Sequence, residues 1–195
     1  FYHNGQNIHL FALLNEKLPK HALYAEFSIP KLVYGHNVYL YYPEQILQLL
    51  EVIRTEMSEC FKVQFVPVSE WVIHRLDLCY AWNLPSQDIA QALLEALRGY
   101  SYPRKKTNHY ETSIGYRGKA YSGIFYLKHP EFMDKDFENL HDIDPEFAET
   151  LKTTSQGLLR FEMQLRKAKL DDLFKNRNGG LQIKDLESRD FLSKT

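Results

Sequence analysis

The chain has 195 residues, 44% of them hydrophobic and 25% charged, which suits one ordinary globular domain or one domain with a small appendage. Its 24 Lys and Arg are balanced by 25 Asp and Glu, and the net charge of -1 argues against a DNA binder that relies on bulk positive charge. There is no apolar run long enough to cross a bilayer and no signal-peptide pattern.

In chain order, Ile8 to Leu14 predicts a strand, Asn15 to Lys20 a polar turn containing Pro19, and Ala22 to Ile29 a second strand that Pro30 ends. Tyr34-Gly35-His36-Asn37 reads as a tight turn. Pro43-Glu44 takes the favoured first turn of a helix, and Ile46, Leu49, Leu50, Ile53 and Met57 follow at helical spacing. After Pro67 a strand is predicted from Trp71 to Trp82. Pro85-Ser86 starts a second helix with Ile89, Leu93 and Leu97 on one face, and Gly99 stops it.

A basic connector leads to two short strands, around His109 to Tyr116 and over Gly123 to Lys128, with Arg117 to Ser122 as the turn between them. Asp144-Pro145-Glu146 is a helix start in which Asp144 can cap free backbone N–H groups. Leu158 to Arg166 predicts the last strand, and the tail from Asp171 is weakly helical around Gly179-Gly180. The predicted class is α+β, a central antiparallel sheet of about five strands with helices packed on one face. Residues 1–170 form the expected domain. The chain begins at Phe1 and stops at Thr195, so residues 171–195 are expected to open a further region of a longer polypeptide.

Composition adds detail. Aromatic residues reach 14%, with thirteen Tyr and twelve Phe, as a β-rich core or a base-stacking surface would need. Cys60 and Cys79 have no metal-ligand spacing, which fits a reducing compartment. Charge is uneven: Arg104, Lys105 and Lys106 sit together, as do Arg160, Arg166, Lys167 and Lys169, while acidic residues collect between Glu131 and Glu149.

Alternate residues of a strand point to opposite faces, so parity sorts the polar groups. Tyr24, Glu26 and Ser28 share a face, as do Arg75 and Asp77, Glu111 and Ser113, Tyr126 and Lys128, and Arg160, Glu162, Gln164 and Arg166. His74 takes the apolar side as a core histidine, and Glu111 reads as a surface residue. If all five strands join one sheet, its polar face carries Glu26, Asp77 and Glu162 beside cations and a tyrosine. An ordinary half-solvated antiparallel sheet shows the same alternation. Carboxylates held together repel unless a cation sits among them, and such oxygen ligands suit Mg²⁺ or Mn²⁺.

Four segments carry a likeness: Glu26 to Val38 with its Gly35-His36-Asn37 turn, His74-Arg75-Leu76-Asp77, Ala120-Tyr121 through Tyr126-Leu127-Lys128-His129-Pro130-Glu131, and Gly157 to Glu162. In this order and spacing the chain resembles the replication initiators of filamentous phages, site-specific nicking proteins that start rolling-circle synthesis. Related plasmid initiators carry a Y-x-K-x-x-E run, here Tyr126, Lys128 and Glu131. The family is similar to the HUH nucleases, but this chain has no His-x-His pair, so the two-histidine metal site of that group is absent.

The resemblance implies that Tyr126 is the nucleophile and Lys128 its neighbouring cation. It puts Glu26, Asp77 and Glu162, with His36, at a divalent-metal site for Mg²⁺ or Mn²⁺. Arg75 and Arg160 would hold phosphates or pair with the carboxylates, and Arg104, Lys105 and Lys106 form either a DNA contact or a solvated loop. His36 either joins the metal or fixes its turn. The expected reaction joins Tyr126 to a DNA 5′-phosphate and frees a 3′-OH, with single-stranded origin DNA as substrate, in a bacterial cytoplasm, with no membrane involved. A host helicase and a single-strand-binding protein are expected partners through the resemblance alone. A non-catalytic single-strand-binding module and a mobile-element relaxase or transposase remain as alternatives.

Overall fold

The chain divides into two units in the computed structural model, which describes residues 1–3, 6–13, 22–175 and 180–188. One unit comprises residues 1–71 with the stretch from Ile183; the other is Val72–Gln182.

In the first unit β1 (Tyr2–His3) pairs with β2 (Gln6–Asn7), and β3 (His9–Leu13) pairs antiparallel with β4 (Ala22–Glu26). The predicted turn at Asn15 to Lys20 lies outside the described residues. The second strand ends earlier than expected, because Ile29–Tyr34 forms a helix, α1, capped by Gly35 at φ 76°. Pro30 does not end a strand but opens this helix: its fixed φ suits a first turn, where its missing N–H has no partner to lose. The helix α2 (Ile46–Phe61) follows a 3-10 turn at Pro43–Gln45 and buries Ile46, Leu50, Ile53 and Met57, the spacing read from the sequence. Glu51 on its flank accepts the Val68 N–H at 2.7 Å and the Arg54 Nε–H at 2.5 Å.

In the second unit, β5 (Arg75–Asn83), α3 (Gln87–Leu97), β6 (Lys106–Tyr110), β7 (Ser113–Arg117) and β8 (Tyr121–Leu127) precede three helices. These are α4 (Lys128–Lys135), α5 (Phe137–His141) and α6 (Pro145–Ser155), followed by β9 (Leu158–Arg166) and α7 (Lys167–Leu173). The strands form one antiparallel sheet in the order β5-β9-β8-β7-β6, so the last strand enters between β5 and β8. This is the predicted α+β class, but its membership differs from expectation. The strand predicted around His109 to Tyr116 is a hairpin with Glu111 in its turn, not on a strand face, and among the described residues β4 pairs with β3 in a separate sheet. His74 precedes β5 and is exposed, so it is not a core histidine.

The helix α3 packs on the apolar face, where Ala90 and Leu94 meet Ile114, Tyr116, Leu127 and Leu159. The buried stripe is thus Ala90, Leu94 and Leu97, and the predicted Ile89 and Leu93 stand on the flank, 47% and 40% exposed. Side chains cap two helices: Asp144 Oδ1 accepts the Phe147 N–H at 3.0 Å, as the sequence predicts, and at the predicted helix start Ser86 Oγ accepts the Ile89 N–H at 3.3 Å. Between α6 and β9, Gly157 takes φ 74° and its carbonyl accepts the Leu84 N–H at 2.9 Å; a Cβ there would run into the Leu84 carbonyl. Among the described residues no helix is long and apolar enough to cross a membrane.

Candidate active site

Register turns the polar face of the five-stranded sheet into rows of directly opposed residues. One row runs Tyr110, Ser113, Tyr126, Arg160, Ala81. The next runs Asn108, Gly115, Ile124, Glu162, Cys79, and beyond it Gln164 lies opposite Asp77 on β5 and Ser122 on β8. The strands β8 and β9 therefore bring Tyr126 and Glu162 together on a diagonal, and the Tyr126 hydroxyl donates to Glu162 Oε2 at 3.4 Å.

Both groups are largely buried, which disfavours their charged forms. Burial pushes the Tyr126 phenol well above its usual value of 10.0, Arg160 opposes the rise, and the Glu162 charge adds to it. Burial likewise raises the Glu162 carboxyl, with the Asp77 charge adding and Arg75 opposing. Arg75 forks onto Asp77, Nε to Oδ1 at 3.0 Å and Nη2 to Oδ2 at 2.5 Å. Arg160 is only 2% exposed, directly across from Tyr126. Cys79, opposite Glu162, has its thiol pushed up by burial.

Lys128 does not continue the Tyr126 strand face. It opens α4, with Pro130 in the first turn, and is fully buried in an ion pair with Glu131. Burial lowers the Lys128 ammonium, and Glu131 opposes this. Glu131 also reaches Lys135 at 3.7 Å.

Of the four residues expected at a metal, Asp77 and Glu162 share this face, and the Asp77 charge helps to raise the Glu162 carboxyl. Glu26 and His36 belong to the first unit. Glu26 ends β4, exposed and opposite His9 in the separate β3–β4 sheet. His36 is 1% exposed, and its Nδ1 accepts the Val38 N–H at 3.1 Å, which fixes the turn after α1. Among the described residues no group of three or more His, Cys, Asp or Glu side chains comes together in a way that could hold a metal ion.

The basic connector splits. Arg104 sits in the left-handed region at φ 60°. Lys105 donates to the Tyr121 carbonyl at 3.0 Å and lies 3.1 Å over the Tyr121 ring. Lys106 begins β6 opposite Arg117.

Beside Glu162 the polar face opens into a groove of about 440 Å³, whose lining includes Tyr110, Gly115, Arg117, Lys119, Ile124 and Arg166. Arg166 also donates to the carbonyls of Gly118 and Lys119, at 2.7 and 3.2 Å, and so pins the β7–β8 turn. Arg117, Lys119 and Cys79 were not among the sequence candidates. Arg117 was read as part of a turn, yet the alternation Ser113, Gly115, Arg117 already places it on the polar face. The same alternation, Arg75, Asp77, Cys79, would have found the cysteine.

The polar sheet face thus brings a tyrosine and two carboxylates beside a groove whose lining includes three cationic side chains, Arg117, Lys119 and Arg166. The chain belongs to the phage family described as the N-terminal part of a replication-associated protein, which it matches over residues 12–184. That membership makes it a replication initiator of the filamentous-phage type, with a role in starting rolling-circle replication. Neither a curated protein nor a solved structure matches the chain.

Proposed function

We propose that this chain nicks and rejoins single-stranded origin DNA by transesterification, with Tyr126 as the nucleophile. The observation that carries the reading is the Tyr126–Glu162 hydrogen bond on the polar sheet face, bordering a groove lined with cations. The phenol oxygen attacks a DNA phosphorus, the bond from phosphorus to the 3′ oxygen breaks, and the DNA 5′-phosphate becomes joined to tyrosine. The phenolic proton passes to Glu162, the acceptor of its hydrogen bond. The departing 3′ oxygen takes up a proton and can then prime synthesis. The new bond is again a phosphate diester, so the reverse attack rejoins the ends.

A resting phenol pushed up by burial is a poor nucleophile, and Arg160 is the cation placed to favour its ionised form. The ammonium of Lys128 is balanced by Glu131, so its role in this reading is to hold the start of α4 beside the end of β8 and to add positive charge behind Arg160. Asp77 and Glu162 fit a hydrated Mg²⁺ or Mn²⁺, since such ions often take one or two carboxylates and fill the remaining positions with water and substrate phosphate. When bound, the ion would offset the repulsion between these carboxylates and stabilise charge on the phosphate oxygens. Arg75 holds Asp77 in place meanwhile.

The test is a denaturing gel of labelled single-stranded origin DNA incubated with Mn²⁺ and either the wild type or Tyr126→Phe. A covalent adduct that requires metal and disappears in the variant is the expected result. Wild-type protein that binds DNA but never cleaves it, with or without metal, supports a non-catalytic binding module instead.

A further inference from the structure

The interior of β7 holds a glycine that packing does not require. Gly115 stands between Asn108 on β6 and Ile124 on β8, and it is buried among these strands. Its chain neighbours aside, no atom of the described residues lies within 4 Å of where its Cβ would stand, and its φ is not in the left-handed region. Glycine inside a strand weakens it through lost side-chain contacts and a more flexible unfolded chain, and it often marks close approach of a ligand or of another backbone. Gly123 shows the contrast: a Cβ there would meet the Phe161 ring at 3.0 Å, so its small size serves internal packing.

The empty position at Gly115 opens into the groove beside Glu162. Ile124 flanks it on one side, and Tyr110, 51% exposed on the edge strand, flanks the other. Two residues along β7, the exposed Arg117 lines the same groove. Gly115 is also diagonal to Tyr126, whose register partner is Ser113, and such diagonals span about 7–8 Å. That is close to the step between neighbouring nucleotides of a strand.

We infer that Gly115 is the floor of a seat for one unpaired base of single-stranded DNA, next to the phosphate that Tyr126 attacks. The base lies over the bare backbone between Tyr110 and Ile124, and Arg117 takes the adjoining phosphate. An aromatic ring beside an open backbone suits the face of any base, and a cation two residues away suits the chain that carries it. This rests on the proposed action on single-stranded DNA and adds to it the position of a neighbouring nucleotide. The sequence-predicted basic connector does not supply this contact with Lys105, which is engaged with Tyr121.

The experiment titrates the full chain, without divalent metal so that binding is read apart from cleavage, against labelled mixed-sequence single-stranded DNA and the same strand built with abasic sugars. Gly115→Val is expected to keep or raise Tm, since valine favours strands and its side chain enters empty space. It is expected to weaken binding of the intact strand about tenfold, the scale of one stacked base. Abasic DNA should bind the wild type more weakly than intact DNA, and the valine variant should lose most of that preference. Arg117→Gln should lower the slope of log affinity against log salt by about one.

A folded Gly115→Val that binds both DNAs as the wild type does overturns the seat. If valine prevents folding, Gly115→Ala and Tyr110→Leu repeat the comparison, and an unchanged preference for intact over abasic DNA in both overturns it equally. A wild type that nicks DNA while Gly115→Val matches it in binding removes the seat and leaves the nicking reading standing. A wild type that binds no single-stranded DNA removes both.

Discussion

The Tyr126 hydroxyl and the Glu162 carboxylate meet at 3.4 Å although they are not register partners: Tyr126 lies opposite Arg160, and Glu162 opposite Ile124. The contact is a diagonal across β8 and β9, and it leaves Arg160 facing the phenol from the same strand that presents the acceptor. The hydrogen-bond acceptor of the phenol and the cation opposite it therefore come from residues two apart on one strand, which fixes their spacing through the backbone.

Replacing the acceptor while keeping its shape tests that arrangement. Glu162→Gln should slow single-turnover nicking by about 10²–10⁴, the usual worth of a positioned general base, with Tyr126 still able to form adduct. An unchanged rate would remove Glu162 from proton transfer.

The same variant should alter how stability depends on pH. Burial raises the Glu162 carboxyl above its ordinary value of 4.5, so between 4.5 and the raised value the folded state binds more protons than the unfolded one. Wild-type stability then falls as pH climbs through that window. Glutamine has no proton to lose, so the variant should gain in Tm over the wild type at neutral pH, and the gain should vanish below the ordinary carboxyl range. Thermal melts at a series of pH values read this directly.

Asp77 raises Glu162 through its charge. In metal-free protein, Asp77→Asn should shift the carboxyl titration of Glu162 downward, observed by NMR of the side-chain carbon. It should also weaken Mn²⁺ binding by calorimetry if both carboxylates hold the ion. A titration that does not move would show that the two charges are screened from each other.

Lys128 and Glu131 form a lopsided pair, the lysine fully buried and the glutamate 20% exposed with Lys135 nearby. Glu131→Gln removes the ion-pair partner of a buried ammonium, leaving Asp136 as the acidic group acting on it, and should cost up to about 3–5 kcal/mol. Lys128→Met leaves a carboxylate that water and Lys135 still reach, and should cost less. Burial already lowers the Lys128 ammonium from 10.5, so the folded state binds fewer protons there than the unfolded one. Losing Glu131 lowers it further, and denaturant melts of Glu131→Gln should show stability rising with pH over a wider range than in the wild type.

Asp144 caps α6 through the Phe147 N–H. Asp144→Ala should cost about 1 kcal/mol, read by denaturant unfolding, and leave nicking per folded molecule unchanged.

Local signals were legible where one residue type does one physical job. The periodic Ile46, Leu50, Ile53 and Met57, the helix start at Ser86, the cap at Asp144, and the limits of β9 were all readable. The helices α1 and α4 were not, because each is a short segment with one or two buried positions and a proline in its first turn. Proline there reads as a strand end or goes unnoticed, although it favours helix starts. The stretch containing α4 and α5 is also polar, with no apolar stripe to give a period.

For the candidate site, parity alone puts Arg75 with Asp77 and Arg160 with Glu162, since side-chain direction in a strand alternates whatever the strand pairs with. The family likeness, carried by short motifs in order, could also be read from the chain alone. Which strands lie side by side is a long-range matter that no local pattern encodes. Tertiary structure put β9 between β5 and β8, and so set Glu162 against Tyr126. It paired β4 with β3 rather than with the sheet, and it folded Lys128 into a helix with Glu131 as its partner. It also left open the space above Gly115, because a cavity depends on how several strands pack together, and that is settled only when the chain has folded.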